Sequence, residues 1–198
     1  MADLALERRD VLASMLEQRG DALIVCGLGS PVWDVAALDH RGENFYVWGG
    51  MGCASVMGLG LALAQPDRKV WVVTGDGEAL MGVGTLATIG GKRPANLAVI
   101  VFDNEHYAET GMQQTHTGMG TDLAAMAKAA GIPTTMDVRT NDQVAELTTA
   151  LSSGPMPLFA NVKITNDQPE RILPPRDGVH LKNAFRIAVL GEKEAMYP

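Results

Sequence analysis

The chain has 198 residues, 46% of them hydrophobic, with 22 glycines and a formal net charge of −7. That length allows one domain with a full core, and the apolar, glycine-rich balance fits a compact α/β enzyme domain with tight loops. The acidic balance argues against nucleic acid or an anionic membrane surface as a partner, and no apolar run approaches the roughly 20 residues of a membrane span. Cys26 and Cys53 lie too far apart for a CxxC or zinc pattern. The first ten residues, MADLALERRD, are charged and lack the apolar segment of a secretory signal, so a cytoplasmic protein with two reduced thiols is expected.

In chain order, Leu4, Leu6, Val11, Leu12, Met15 and Leu16 recur at roughly helical spacing among charges, which predicts an amphipathic helix over 3–19. Residues 22–26 predict a first strand. The loop Gly27-Leu28-Gly29-Ser30 after it either brings amides and a hydroxyl to an anion or is a simple β-to-α turn. A short helix is expected over 31–38, with Pro31 in its first turn, then a second strand over 44–48. That strand runs into Gly49-Gly50-Met51-Gly52 and a small-residue helix over 53–64. Glycines around one methionine either let backbone atoms approach something closely or soften a helix start. The Gly/Ala-rich helix suits tight packing against a sheet or a second subunit.

Residues 70–107 are the centre of the chain. The stretch begins VWVVTGDGEALMG and ends LAVIVFDNEHY, two apolar, largely β-branched runs typical of buried parallel strands. The first stops at Gly75-Asp76-Gly77 and the second at Asp103-Asn104, with 27 residues between Asp76 and Asn104. That is room for a helix over 78–89, a turn and a return strand. In a right-handed βαβ unit both polar tips lie at the same sheet edge. Oxygen ligands from Asp76 and Asn104 could then share one Mg²⁺, with the amides of Gly77, Glu78 and Ala79 opening a helix toward a phosphate.

Residues 105–120 form a polar stretch without clear period, and a 16-residue loop inside a compact domain is usually functional. A helix over 121–130 with Thr121 as N-cap is expected, then a strand over 134–138, a helix from Thr140 or Asn141 to residue 151, and a last buried strand over 158–164. The tail, 165–198, holds Arg171, Arg176, His180, Lys182 and Arg186 and a helix over 181–190. Its basic residues either bind an anionic substrate group or form a solvated or subunit-facing surface. The alternation of strand and helix predicts an α/β fold: a doubly wound parallel sheet of about six strands with helices on both faces.

Three blocks, WGGMG (48–52), TGDGEALMGVGTLATIGG (74–91) and VFDNEHYAETG (101–111), closely resemble the diphosphate-binding domain of thiamine diphosphate (ThDP)-dependent 2-oxoacid decarboxylases. Within that family they look nearest to the sulfopyruvate and phosphonopyruvate decarboxylases, and the resemblance covers about residues 22–165. It implies ThDP and Mg²⁺ as cofactors and residues 1–198 as a single cofactor-binding domain. Carried over by position, Asp76, the Asn104 side chain and the His106 carbonyl would hold Mg²⁺. Gly75, Gly77, Glu78 and Ala79 would border the diphosphate, with Gly27, Gly29 and Ser30 opposite, and Gly50 and Tyr107 would complete the cofactor contacts. Met51 would wedge beneath the cofactor and hold it bent, while the Gly49 carbonyl would accept a hydrogen bond from the aminopyrimidine. His106 and His116 are candidate acid/base groups or ordinary loop histidines.

Two departures stand out. Asp103 replaces an asparagine common in the family and reads as a neutral neighbour of the ligand. Glu78 stands where a small residue is common, and a carboxylate beside a diphosphate is unfavourable unless it turns away or favours the helix N-terminus. The family's catalytic glutamate lies on a pyrimidine-binding domain for which this chain has no block upstream of residue 22. The resemblance therefore implies a pyrimidine-binding partner subunit and a small 2-oxoacid substrate bearing a second anionic group. A ThDP-dependent carboligase and a non-catalytic ThDP- or nucleotide-binding regulatory subunit are the alternatives.

Overall fold

The computed structural model describes residues 6–197. A first helix, α1 (Arg8–Leu16), leads into β1 (Leu23–Cys26), α2 (Ser30–Leu38) and β2 (Asn44–Tyr46). The chain crosses back through α3 (Ala54–Ala64) to β3 (Val70–Gly75). Two short helices, α4 (Asp76–Met81) and α5 (Thr85–Lys92), connect β3 to β4 (Leu97–Asp103). A hairpin of β5 (His106–Tyr107) and β6 (Gln113–Gln114) and a 3₁₀ turn (His116–Met119) follow. Then come α6 (Leu123–Ala129), β7 (Thr134–Val138), α7 (Asn141–Ser153), β8 (Leu158–Lys163), α8 (Gly178–Leu190) and α9 (Glu192–Met196).

The main sheet has six strands in the order β2-β1-β3-β4-β8-β7, all parallel. After β1 the chain moves outward to β2, and after β3 it moves the opposite way to β4, so the order reverses between β1 and β3. In an open α/β sheet such a reversal opens a crevice at the carboxyl ends of the strands.

Strand side chains alternate between two cores. Ile24, Trp71, Val73 and Ile100 pack against Leu12 and Met15 of α1, Val35 of α2 and Leu147 of α7. Val25, Val72, Val99 and Val101 pack against Leu59 of α3, Ile89 of α5 and Leu123 of α6. Burial on both faces is why these strands read as continuous apolar runs. Phe185 of α8 packs on Phe45 with ring centroids 5.3 Å apart, covering the outer strand β2. Among the described residues no helix is long and apolar enough to cross a membrane.

Three local expectations are corrected. The helix over 78–89 is two helices: it stops at Met81 and restarts at Thr85. A Cβ on Gly82 would lie 2.2 Å from the Gly52 carbonyl oxygen, so a neighbouring loop occupies the ground a longer helix would need. The polar stretch 105–120 is folded into the hairpin and the 3₁₀ turn. The cap of α6 is Asp122, whose Oδ1 accepts from Ala125 N–H at 2.8 Å, because the Thr121 N–H closes the 3₁₀ turn onto the His116 carbonyl at 3.0 Å. The amino-terminal helix begins at Arg8, and the part of its expected range over 3–5 lies outside the described residues.

Asn96 ties the carboxyl end of α3 to the start of β4. Its Nδ2 donates toward the carbonyls of Ala62, Gln65 and Arg68 at 3.1, 2.8 and 2.7 Å. Asn96→Ala leaves these buried carbonyls without that donor, and urea denaturation should show a loss of about 1–3 kcal/mol.

Candidate functional site

At the reversal between β1 and β3, the loop after β1 and the start of α4 frame a cavity of about 150 Å³. Leu28, Gly29, Ser30 and Pro31 form one wall, and Gly75, Asp76, Gly77 and Glu78 another. Phe102, Asn104 and residues 106–110 close a third side, and Met51 reaches in. The parallel register pairs Thr74 with Val101 and Gly75 with Phe102. It carries Asp76 and Asn104, just past the two strand ends, to one edge of the sheet.

Asp76 is 2% exposed; its Oδ2 accepts from the Thr115 hydroxyl and lies 3.2 Å from Thr117 Oγ1, whose one proton it shares with Asp103. Burial, and after it the neighbouring Asp103 carboxylate, push its pKa up to about 6 against the pull of the two threonines. Asn104 donates through Nδ2 to Asn166 Oδ1 at 3.0 Å, while its Oδ1 receives the His106 N–H at 3.3 Å. The amide oxygen has a second lone pair for a ligand. The His106 ring is turned back, with Nδ1 donating to the Asn104 carbonyl at 2.9 Å.

A buried carboxylate and an amide oxygen beside a helix start are a donor set that suits a hard divalent cation joined to an anion. Asp76, Asn104 and the His106 carbonyl are the protein groups that would hold it. Among the described residues no three His, Cys, Asp or Glu side chains cluster as a metal site, so an ion here depends on amide and main-chain oxygens and on the oxygens of its ligand.

Asp103 is fully buried on the next strand. It accepts from Thr117 Oγ1 at 2.7 Å, from the Glu105 N–H at 3.0 Å and from Asn161 Nδ2 at 3.0 Å. Lys163 Nζ meets its charge at 2.8 Å and reaches Glu105 at the same distance. The reading of Asp103 as a neutral change is corrected: it is one half of a buried ion pair that anchors the segment carrying Asn104.

Glu78 lines the cavity, yet its carboxylate is engaged beneath the Met51 loop. Oε1 accepts from the Ala54 N–H at 3.2 Å, and Oε2 from Thr74 Oγ1 at 2.9 Å. Burial raises its pKa, opposed by Thr74 and by the N–H groups of Ala54, Leu28 and Gly52. Ala54 is the first residue of α3, so the charge sits at a helix N-terminus, where it is favourable.

Of the residues singled out from sequence, Gly29, Ser30, Met51, Gly75, Asp76, Gly77, Glu78, Asn104, His106 and Tyr107 line the cavity together. Gly27, Gly49, Gly50 and Ala79 are not among its lining residues. Neither is His116, which is exposed on the 3₁₀ turn. In the tail, Arg171 stacks over Trp33 at 4.4 Å and Arg176 over Trp48 at 5.4 Å, outside the cavity. Sequence reasoning missed Thr115, Thr117, Asn161, Lys163 and Asn166. For Lys163 and Asn161 the signal was there: two polar residues inside the apolar run of β8.

Removing one partner of a buried ion pair costs about 3–5 kcal/mol, and Lys163→Met should approach that loss in chemical denaturation. Adding Asp103→Asn to it should restore a large part.

Residues 33–162 match the family model for the thiamine pyrophosphate enzyme, C-terminal TPP binding domain. Sulfopyruvate decarboxylase subunit beta of Methanocaldococcus jannaschii is 43% identical over 129 residues, 65% of this chain and 68% of that one. Phosphonopyruvate decarboxylase of Streptomyces viridochromogenes is 44% identical over 111 residues, 56% of this chain and 28% of that one. Among solved structures, benzoylformate decarboxylase from Polynucleobacter necessarius superposes with a TM-score of 0.65 at 21% identity, over 84% of this chain and 34% of that one; this likeness speaks for the fold. The chain spans about a third of the solved chains it resembles. Strand order, crevice, motif blocks and family match agree: this chain belongs to the thiamine pyrophosphate enzymes, in which it corresponds to the C-terminal TPP-binding domain.

Proposed function

We propose that the chain is the cofactor-binding subunit of a ThDP- and Mg²⁺-dependent 2-oxoacid decarboxylase of the sulfopyruvate type. One observation carries the reading: Asp76 and Asn104, from neighbouring strand tips, share a cavity with Gly29, Ser30 and Met51. Asp76, the Asn104 amide oxygen and the His106 carbonyl hold the cation. The main chain at Gly77, Glu78 and Ala79 faces the diphosphate from one side, and Gly29 with Ser30 from the other. Met51 would support the cofactor from below, and the Gly49 carbonyl, just outside the cavity lining, would accept a hydrogen bond from its amino group. The bound cofactor supplies the electron sink for loss of CO₂; the chain's own groups orient it and keep water from the crevice.

A partner subunit belongs to this reading. Sulfopyruvate decarboxylase of Methanosarcina acetivorans is 37% identical over 139 residues that make up 36% of that chain, whereas the Methanocaldococcus relative is named a beta subunit. The substrate, a small 2-oxoacid with a second anionic group, then lies between the two chains. Val56, Met57 and Leu63 on α3, with Met81, are exposed apolar side chains of the kind a partner covers. The two cysteines are unpaired, which fits a cytoplasmic setting. Residues 1–198 then act as one cofactor-binding domain, the tail 165–198 included.

Calorimetry should find ThDP binding that requires Mg²⁺, and Asn104→Ala should abolish that requirement together with the binding; unchanged affinity sinks the metal assignment. The purified chain should release no CO₂ from sulfopyruvate until a pyrimidine-binding subunit is added. Full turnover by the chain alone would refute the shared site.

A further inference from the structure

We propose that Glu78 is a positioning residue: from inside α4 its carboxylate fixes the Met51 loop, the shelf beneath the cofactor's rings. The inference rests on the ThDP reading of the site. Glu78 is 4% exposed, and two donors from different elements hydrogen-bond its carboxylate. Its Oε1 accepts from the Ala54 N–H at 3.2 Å and its Oε2 from Thr74 Oγ1 at 2.9 Å. Gly27 is packed so closely on it that a Cβ there would fall 2.1 Å from Oε2. At the other end of α4, the Gly82 backbone presses on Gly52, whose φ of +88° few side chains tolerate.

The loop between β2 and α3 is therefore gripped from both ends of one short helix. Met51 lies directly before the gripped residues and reaches into the cavity. A smaller residue at position 78 leaves the donors around it without this acceptor, and a shelf free to shift by about an ångström no longer holds a ligand in one geometry. The charge that looked misplaced beside a diphosphate thus serves the opposite half of the cofactor.

Two variants of the full chain test this. Glu78→Gln keeps the shape but removes the negative charge at the α3 N-terminus and turns one of the two acceptor oxygens into a donor, and Gly27→Ala displaces the carboxylate without removing it. In the cofactor-free chain, hydrogen exchange should quicken at residues 50–54 in both variants. In calorimetry with Mg²⁺, ThDP should bind about tenfold more weakly, the scale of one lost buried hydrogen bond to a charged group. Inorganic pyrophosphate, which meets α4 and the Gly29–Ser30 loop but not the Met51 shelf, should hold to within about threefold. Equal loss of both ligands indicates a general fold defect and overturns the proposal, as does unchanged exchange at 50–54 or unchanged ThDP affinity. A wild-type chain that binds pyrophosphate and ThDP equally poorly overturns the ThDP reading itself, before any variant is made.

Discussion

Two carboxylates, Asp76 and Asp103, are buried near one another at the tips of β3 and β4, and the crevice is arranged around that charge. Burying a charge without a partner is expensive. Lys163 neutralises one of them, and the Thr117 hydroxyl lies between the two, 2.7 Å from Asp103 and 3.2 Å from Asp76. Lys163 is shared with Glu105, and Asp76, beside the cavity, has no cationic side chain paired with it among the described residues. A divalent cation held by Asp76 and Asn104 would relieve the charge on Asp76 and offer an anionic ligand its counter-charge. The family match, the register of β3 on β4 and this electrostatic need point to one site.

The shared edge of the two strand tips was legible in the sequence. The runs over 70–75 and 97–103 are apolar and β-branched, and only a strand buried on both faces sustains such a run. Their polar stops, at Asp76 and Asn104, lie one βαβ unit apart, and parallel pairing carries them to the same edge. The strand-helix alternation gave the doubly wound sheet for the same reason. In each case the information is local: one segment's side chains meet the same environment along its length.

Partnerships across the chain were not legible in this way. Glu78 finds its acceptor role at Ala54, 24 residues upstream, and nothing in GDGEALMG announces it. Periodicity reads 78–89 as one helix because it does not register the Gly52 carbonyl packed against Gly82. Thr121 and Asp122 are both good caps, and the 3₁₀ turn before them decides which is used. Lys163 was visible as a charge in an apolar strand, but its partners, Asp103 and Glu105, lie 60 and 58 residues away.

The same contrast separates scaffold from site in energetic terms. The two cores are held by many apolar contacts between neighbouring elements, each replaceable by another of similar size. The crevice is held by a few polar ties between distant loops: Glu78 to Ala54, Thr117 to Asp76 and Asp103, Lys163 to Asp103 and Glu105. Each tie is directional, and losing one leaves a buried group unpaired. Local opening is cheapest where apolar contacts are few, so these polar ties are what hold the loops around Met51 and Asn104 to the sheet. A ligand that bridges Asp76 and Asn104 and rests on Met51 closes the same gap from the inside.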